Sequence, residues 1–180
     1  MNVERIVQRT KQTLDQYGMS NVREWLETTD YFTAPASRSY HGAFSGGLMI
    51  HSYQVYKQLE HLTDRLCLSW KREKSPAIIG LLHDVCKIGL YVPQYNERGQ
   101  VTGYMYDPDH SSDHAALSLR MLKDKVGLTR EEELCIKYHM GEFTKDIDEH
   151  DMTYTQAVHE CANVLWTHTA DMYCSQVLDL

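Results

Sequence analysis

His83 and Asp84 stand side by side in Leu81-Leu82-His83-Asp84-Val85-Cys86-Lys87-Ile88-Gly89, a stretch otherwise rich in apolar residues. From Ile78 to Ile88 apolar side chains fall on every face of a helical wheel, the pattern of a helix buried all round. A carboxylate in such surroundings stays ionised only when it is paired or bound to a metal. At helical spacing Lys87 lies one turn beyond both His83 and Asp84 and brings a cation to the same place. Two chemistries fit the stretch. One is a metal site with a phosphate-binding lysine beside it; the other is a core histidine next to a buried Asp84–Lys87 ion pair.

Further groups of the same kind recur along the chain. His51 falls on the apolar stripe Leu48, Val55, Leu59, Leu62 and Leu66, where a lone histidine is ordinarily a satisfied core residue and gains meaning only from what it faces. His114 belongs to the first turn of a helix for which Ser111-Ser112-Asp113 offer N-cap residues, and which runs through Leu122 to Val126. His139 follows a helix opened by the capping box Thr129-Arg130-Glu131-Glu132 and precedes Gly141. Asp171 lies one turn beyond His168 on a long helix predicted from about Thr155, with Ala157, Cys161, Val164, Leu165, His168 and Met172 as its inward face. Five predicted helices thus deliver His51, the His83-Asp84 pair, His114, His139 and Asp171. Imidazole and carboxylate together suit first-row divalent ions, and six ligands exceed the need of one tetrahedral zinc; two ions bridged by one carboxylate would use them all.

The elements around these residues are those of a helical protein. Val3, Ile6, Val7, Leu14 and Tyr17 keep helical spacing up to Gly18, and a short helix follows around Val22 to Leu26. A Pro- and Ser/Thr-containing loop and the glycine-rich His41-Gly42-Ala43-Phe44-Ser45-Gly46-Gly47 lead into the His51 helix. Pro76 suits the first turn of the His83 helix, and Gly89 its end. Tyr91, Val92, Tyr95, Val101, Tyr104 and Tyr106 flank Asn96-Glu97-Arg98-Gly99, which predicts a β-hairpin over 91–106. It is either a wall of a pocket or an aromatic packing element. With 180 residues and no repeat or linker, the chain reads as one all-α domain, residues 1–180, with a hairpin insertion.

Composition narrows the classes. A net charge of -7 opposes binding of long nucleic acid while leaving room for a small nucleotide neutralised by metal. No apolar run is long enough to span a bilayer and the start has no signal-peptide character, so a cytoplasmic protein without membrane contact is expected. The five cysteines, scattered and without a C-x-x-C pair, indicate neither a disulfide framework nor a cysteine zinc site. A P-loop, a G-x-S-x-G elbow and an H-E-x-x-H helix are all missing from the sequence.

In the order His51, His83-Asp84, Asp171 the chain resembles the HD-domain superfamily of metal-dependent phosphohydrolases. The resemblance spans Gly46-Gly47-Leu48-Met49-Ile50-His51-Ser52, Leu82 to Gly89 and His168-Thr169-Ala170-Asp171, with Asp113-His114-Ala115 and Tyr138-His139-Met140-Gly141 matching the intervening histidines of binuclear members. Where some relatives have two adjacent histidines this chain has His139-Met140, so a third metal and the cyclic-dinucleotide phosphodiesterase signature are not expected. The resemblance implies an HD-domain helical bundle hydrolysing a phosphate mono- or diester of a nucleotide or other small phosphorylated metabolite. It implies one or two divalent ions (manganese, iron, cobalt, zinc or nickel, with magnesium a further candidate). His51, His83, Asp84 and Asp171 would hold the first, and His114 and His139 the second, with Asp84 bridging. Lys87 would neutralise a phosphate oxygen, making Asp84 and Lys87 the catalytic pair. Arg120 and His41 are further candidates for substrate contact, a surface ion pair and a loop-capping role being their alternatives. Two other functions share the ligand set or the fold: a di-iron oxygenase, and a non-catalytic helical module with a structural metal.

Overall fold

Asn2 starts the first helix by accepting the Arg5 amide on its side-chain oxygen at 3.1 Å, and α1 then runs over Val3–Gln16. The coordinates are a computed structural model that describes residues 2–107, 114–144 and 151–178, with His114 and Ala115 described in their backbone only. After α1 come α2 (Ser20–Glu27), a long loop, α3 (Gly47–Leu66), α4 (Ser75–Leu82) and a 3-10 turn at Val85–Lys87. The hairpin follows as β1 (Tyr91–Tyr95) and β2 (Val101–Tyr106), then α5 (His114–Leu122), α6 (Arg130–Lys137), a 3-10 turn at Gly141–Phe143, α7 (Tyr154–Glu160) and α8 (Asn163–Gln176). The described residues are mostly helical, and the expected hairpin is present as an antiparallel pair with Tyr91 opposite Tyr106 and Pro93 opposite Tyr104. None of their helices is long and apolar enough to cross a membrane.

The α3–α4 pair is the spine. Its Ile50, Ile78 and Leu81 pack with Leu14 of α1, Leu26 of α2 and Leu122 of α5 on one side, while its Val55, Leu59 and Ile79 pack with Leu134 of α6, Ala157 of α7 and Val164 of α8 on the other. The two spine helices meet backbone to backbone at Gly80, where a Cβ would lie 2.3 Å from the Tyr56 Cα. Any larger residue there would force them apart.

At the start of α6 the capping box is formed as expected: the Thr129 side chain accepts the Glu132 amide, and the Glu132 carboxylate accepts the Thr129 amide at 2.8 Å. Glu132 is fully buried and is also held by Arg72, whose Nε and Nη2 reach its two oxygens at 2.8 and 2.6 Å, and by the Ser75 hydroxyl at 2.8 Å. The start of α6 is thus fastened to the start of α4.

Three expectations are corrected. The helix predicted through Ile88 ends at Leu82: Asp84 takes φ -108°, ψ 19°, outside the helical region, and the chain tightens into the 3-10 turn, which re-aims the Asp84 carboxylate. The helix predicted from about Thr155 is two helices, because Cys161 is extended (φ -144°, ψ 105°). The break resets the helical phase, so Leu165 and Met172 are exposed, and the buried face of α8 comprises Asn163, Val164, Thr167, Ala170, Asp171, Cys174 and Ser175. The helix predicted through Leu122 to Val126 stops at Leu122, and Val126 is buried beyond its end. Leu66, at the end of the α3 stripe, is 47% exposed. The N-cap residues Ser111, Ser112 and Asp113, and residues 146–150 of the acidic loop, lie outside the described residues.

Candidate metal centre

Four elements converge on one buried point. The second turn of α3 brings His51, the end of α4 brings His83 and Asp84, the residue after the α6 cap brings His139, and α8 brings Asp171; none of the five is more than 7% exposed. His51 Nε2 lies 3.3 Å from His83 Nε2, 3.0 Å from Asp171 Oδ1 and 3.5 Å from Asp84 Oδ2. His83 Nε2 is 3.4 Å from Asp84 Oδ2 and 3.8 Å from Asp171 Oδ1. Asp84 divides its oxygens: Oδ2 faces His51, His83 and Lys87, while Oδ1 faces His139 Nε2 at 3.5 Å. Two donor groups result, His51–His83–Asp171 and His83–Asp84–His139, with His83 common to both.

The ring orientations carry the chemistry. His83 Nδ1–H donates to the Gly80 carbonyl at 3.0 Å and His139 Nδ1–H to the Ile136 carbonyl at 2.7 Å, so the neutral rings turn Nε2 lone pairs inward. Those lone pairs face carboxylate oxygens at distances where electron pairs repel, and the arrangement holds only with positive charge among them, as protons or as a metal ion. Imidazole nitrogens and carboxylate oxygens in this mixture fit a divalent transition metal. His51 Nδ1 is buried and finds no hydrogen-bond partner among the described residues.

Charge balance agrees. Burial pushes the Asp84 carboxyl up, but the Lys87 ammonium and, when they carry protons, the His83 and His139 imidazoles beside it overcome this and leave it well below the usual range. Asp171 is likewise lowered against burial, chiefly by the His51 hydrogen bond. Burial holds His51 down, with Asp171 opposing; at His139 burial is again the largest influence, but the Asp84 and Asp171 carboxylates and the Ile136 carbonyl together overcome it and raise the imidazole. Lys87, penalised by burial, ends raised because Asp84 lies beside it. Both carboxylates are therefore ionised and ready to bind a cation.

Of the other predicted site residues, Lys87 reaches the cluster, with Nζ 2.7 Å from Asp84 Oδ2. His41 packs its ring 5.1 Å from that of His51 and is held at about 4, by burial first and then by His51 and Lys87. Arg120 is exposed in the last turn of α5 and belongs to neither donor group. The His114 side chain lies outside what is described.

Some contributors are not evident from sequence. His168 Nδ1–H donates to the His139 carbonyl at 2.8 Å and fixes the backbone that presents that ligand. Gly141, at φ +63°, makes room, since a Cβ there would lie 2.7 Å from the His168 ring. The glycine after His139 is the only sequence trace of this contact; the carbonyl bond leaves none. Tyr31 buttresses α4 from behind by donating to the Leu81 carbonyl at 2.7 Å, and the Ser118 hydroxyl accepts the Cys86 amide at 3.1 Å, tying the 3-10 turn to α5. At the hairpin base the Tyr91 and Tyr106 rings lie 5.3 Å apart, and Tyr91, pushed to about 12 chiefly by burial, feels the Lys87 charge. The far end of the hairpin is solvent-exposed, Tyr95 at 62% and Val101 at 50%.

Compared with family models, curated proteins and solved structures, the chain matches none.

Proposed function

We propose that this chain is a metal-dependent phosphohydrolase of the HD-domain type, acting on a phosphate ester of a nucleotide or other small metabolite. The observation that carries the reading is the gathering of His51, His83, Asp84 and Asp171, in that sequence order, into one buried cluster with the Lys87 ammonium against it. These four residues would hold one divalent ion; the second oxygen of Asp84 with His139, joined by His114, would hold another. A bound ion of this kind lowers the pKa of a coordinated water toward neutrality and polarises phosphoryl oxygens. The chain supplies the rest. Ionised Asp84 and Asp171 keep the centre anionic enough to retain divalent cations, and the backbone-tied His83 and His139 keep their Nε2 atoms aimed inward. Lys87 brings a positive charge to a non-bridging phosphate oxygen, where phosphoryl transfer needs it.

The test is a panel of nucleotides, phosphomonoesters and phosphodiesters incubated with purified protein and manganese. Phosphate or nucleotide product that disappears with chelator supports the reading. Turnover that consumes oxygen in the iron-loaded protein, without phosphate ester cleavage, would replace it with the di-iron oxygenase.

A further inference from the structure

Between the loop that precedes α3 and the hairpin lies a cleft of about 580 Å³, lined by Arg38, Ser39, Gln94, Thr102, Tyr104 and Met105. Its size is that of a small-molecule site. Among the described residues that line it, Arg38 alone is charged, in a chain whose net charge is -7. The Arg38 guanidinium lies over the Tyr106 ring, 5.9 Å from its centre, and among the described residues it is paired with no carboxylate. An exposed guanidinium held against an aromatic face, with its fork of donors open, is suited to a phosphate.

Both walls of the cleft are joined to the candidate metal centre. In the loop, the Ser37 hydroxyl donates to the His41 carbonyl at 2.9 Å and accepts the Tyr40 amide at 2.9 Å, while the Ala36 amide donates to the Gly42 carbonyl at 2.9 Å. Arg38 is thus carried on the tight loop whose His41 ring lies 5.1 Å from that of His51. In the hairpin, the Leu90 amide donates to the Lys87 carbonyl at 3.2 Å and the Asp107 amide to the Leu90 carbonyl at 2.9 Å, which fastens both strand ends to the Lys87 turn. Tyr91, the first hairpin residue, packs on Tyr106 with ring centres 5.3 Å apart, and Tyr106 lies under Arg38. Two aromatic rings therefore stand between the start of the hairpin and the guanidinium.

The geometry points to a nucleoside bisphosphate as the substrate, with one phosphate at the metal centre and the other, on the far side of the sugar, bound by Arg38. The inference rests on the phosphohydrolase reading for the cleaved phosphate and narrows its substrate class. The spacing decides against a diphosphate chain, whose second phosphate adjoins the first and stops short of a guanidinium two rings beyond the Lys87 turn. Ser39, Gln94 and Thr102 offer neutral hydrogen-bonding groups, which suit an uncharged base and sugar. The absence of a carboxylate from the described lining removes the repulsion that an anionic ligand would meet elsewhere on this acidic protein.

The experiment measures phosphate release from adenosine 3′,5′-bisphosphate, adenosine 5′-diphosphate and adenosine 5′-monophosphate by the manganese-loaded full-length protein, Arg38→Ala and Arg38→Lys, with KM and kcat taken separately. In the parent, KM for the bisphosphate should lie on the order of tenfold or more below those for the other two, the size of one charge-assisted hydrogen-bonded contact. In Arg38→Ala that preference should collapse to near parity while kcat for the bisphosphate is largely kept, because Arg38 binds ground state and transition state alike. Arg38→Lys, with the charge but without the fork, should keep part of the preference. A parent without the preference, an equal preference for the diphosphate, or a preference that survives in Arg38→Ala overturns the proposal. Should none of the three be cleaved, calorimetric titration of the same proteins with the same nucleotides decides by the same criteria, with Kd in place of KM. Failure to cleave any phosphate ester would then count against the phosphohydrolase reading, while an Arg38-dependent preference in Kd would still establish the site.

Discussion

Lys87 holds its ammonium 2.7 Å from Asp84 Oδ2 across a single 3-10 turn, and that same oxygen is 3.4 Å from His83 Nε2. The lysine is thus both an ion-pair partner and a cation at the edge of the centre, and the two roles separate under metal. In metal-loaded Lys87→Ala, every ligand remains and the ion compensates Asp84, so metal content and melting temperature should stay close to the parent. Turnover of whatever phosphate ester the parent cleaves should fall on the order of 100-fold. In chelator-stripped protein the same change leaves a buried carboxylate short of its cation and should cost up to roughly 3–5 kcal/mol. Melting curves with and without chelator, beside kinetics, check both halves. Parent-rate turnover in the folded, loaded variant would return Lys87 to a purely structural role.

His83 is the donor common to both groups. His83→Ala should therefore lose metal more completely than a change at His139, which belongs to one group. Elemental analysis of the parent and both variants measures this. Metal should stabilise the parent by mass action, by about 2.7 kcal/mol at a free concentration one hundred times Kd, and the resulting rise in melting temperature should vanish in His83→Ala. Equal metal in all three proteins contradicts the assignment.

The hairpin divides into a base that faces the centre and a tip that does not. Tyr91→Ala should raise KM for the cleaved ester severalfold while sparing helicity and metal content, whereas Tyr95→Ala, at the exposed end, should change nothing measurable. Identical kinetics for both variants would assign the base to packing alone.

Glu132 predicts a pH effect. Burial raises its carboxyl, but Arg72, the Thr129 amide and Ser75 lower it further, so its folded pKa lies below its unfolded value near 4.5. The unfolded chain then binds its proton first on acidification. The stability this residue contributes is complete above about pH 4.5 and is lost as pH falls toward the folded pKa. Denaturant unfolding of Glu132→Gln should show a lower stability at pH 7, by roughly 3–5 kcal/mol since Arg72 loses its buried partner, and a shallower decline below pH 4.5. A decline as steep as that of the parent would mean other carboxylates dominate acid unfolding.

The sequence by itself determined which residues can do chemistry and most of the elements that carry them. Periodicity marked α1, α3 and α4, residue pattern and turn chemistry marked the hairpin, and the capping box at Thr129 stands where its residues place it, because each is a local property of a few neighbouring side chains. A carboxylate within an apolar stretch likewise announced a partner without saying which. Tertiary structure decided the rest. The helix end at Leu82 and the break at Cys161 are set by what the backbone packs against, and they re-aim Asp84 and change the face that α8 buries. The bond from His168 to the His139 carbonyl and the bond from Asn163 Nδ2 to the Glu131 carboxylate join residues 29 and 32 positions apart along the chain. No pattern of residue types records such contacts, since they depend on how α6 and α8 lie together, and that follows from the summed packing of the core.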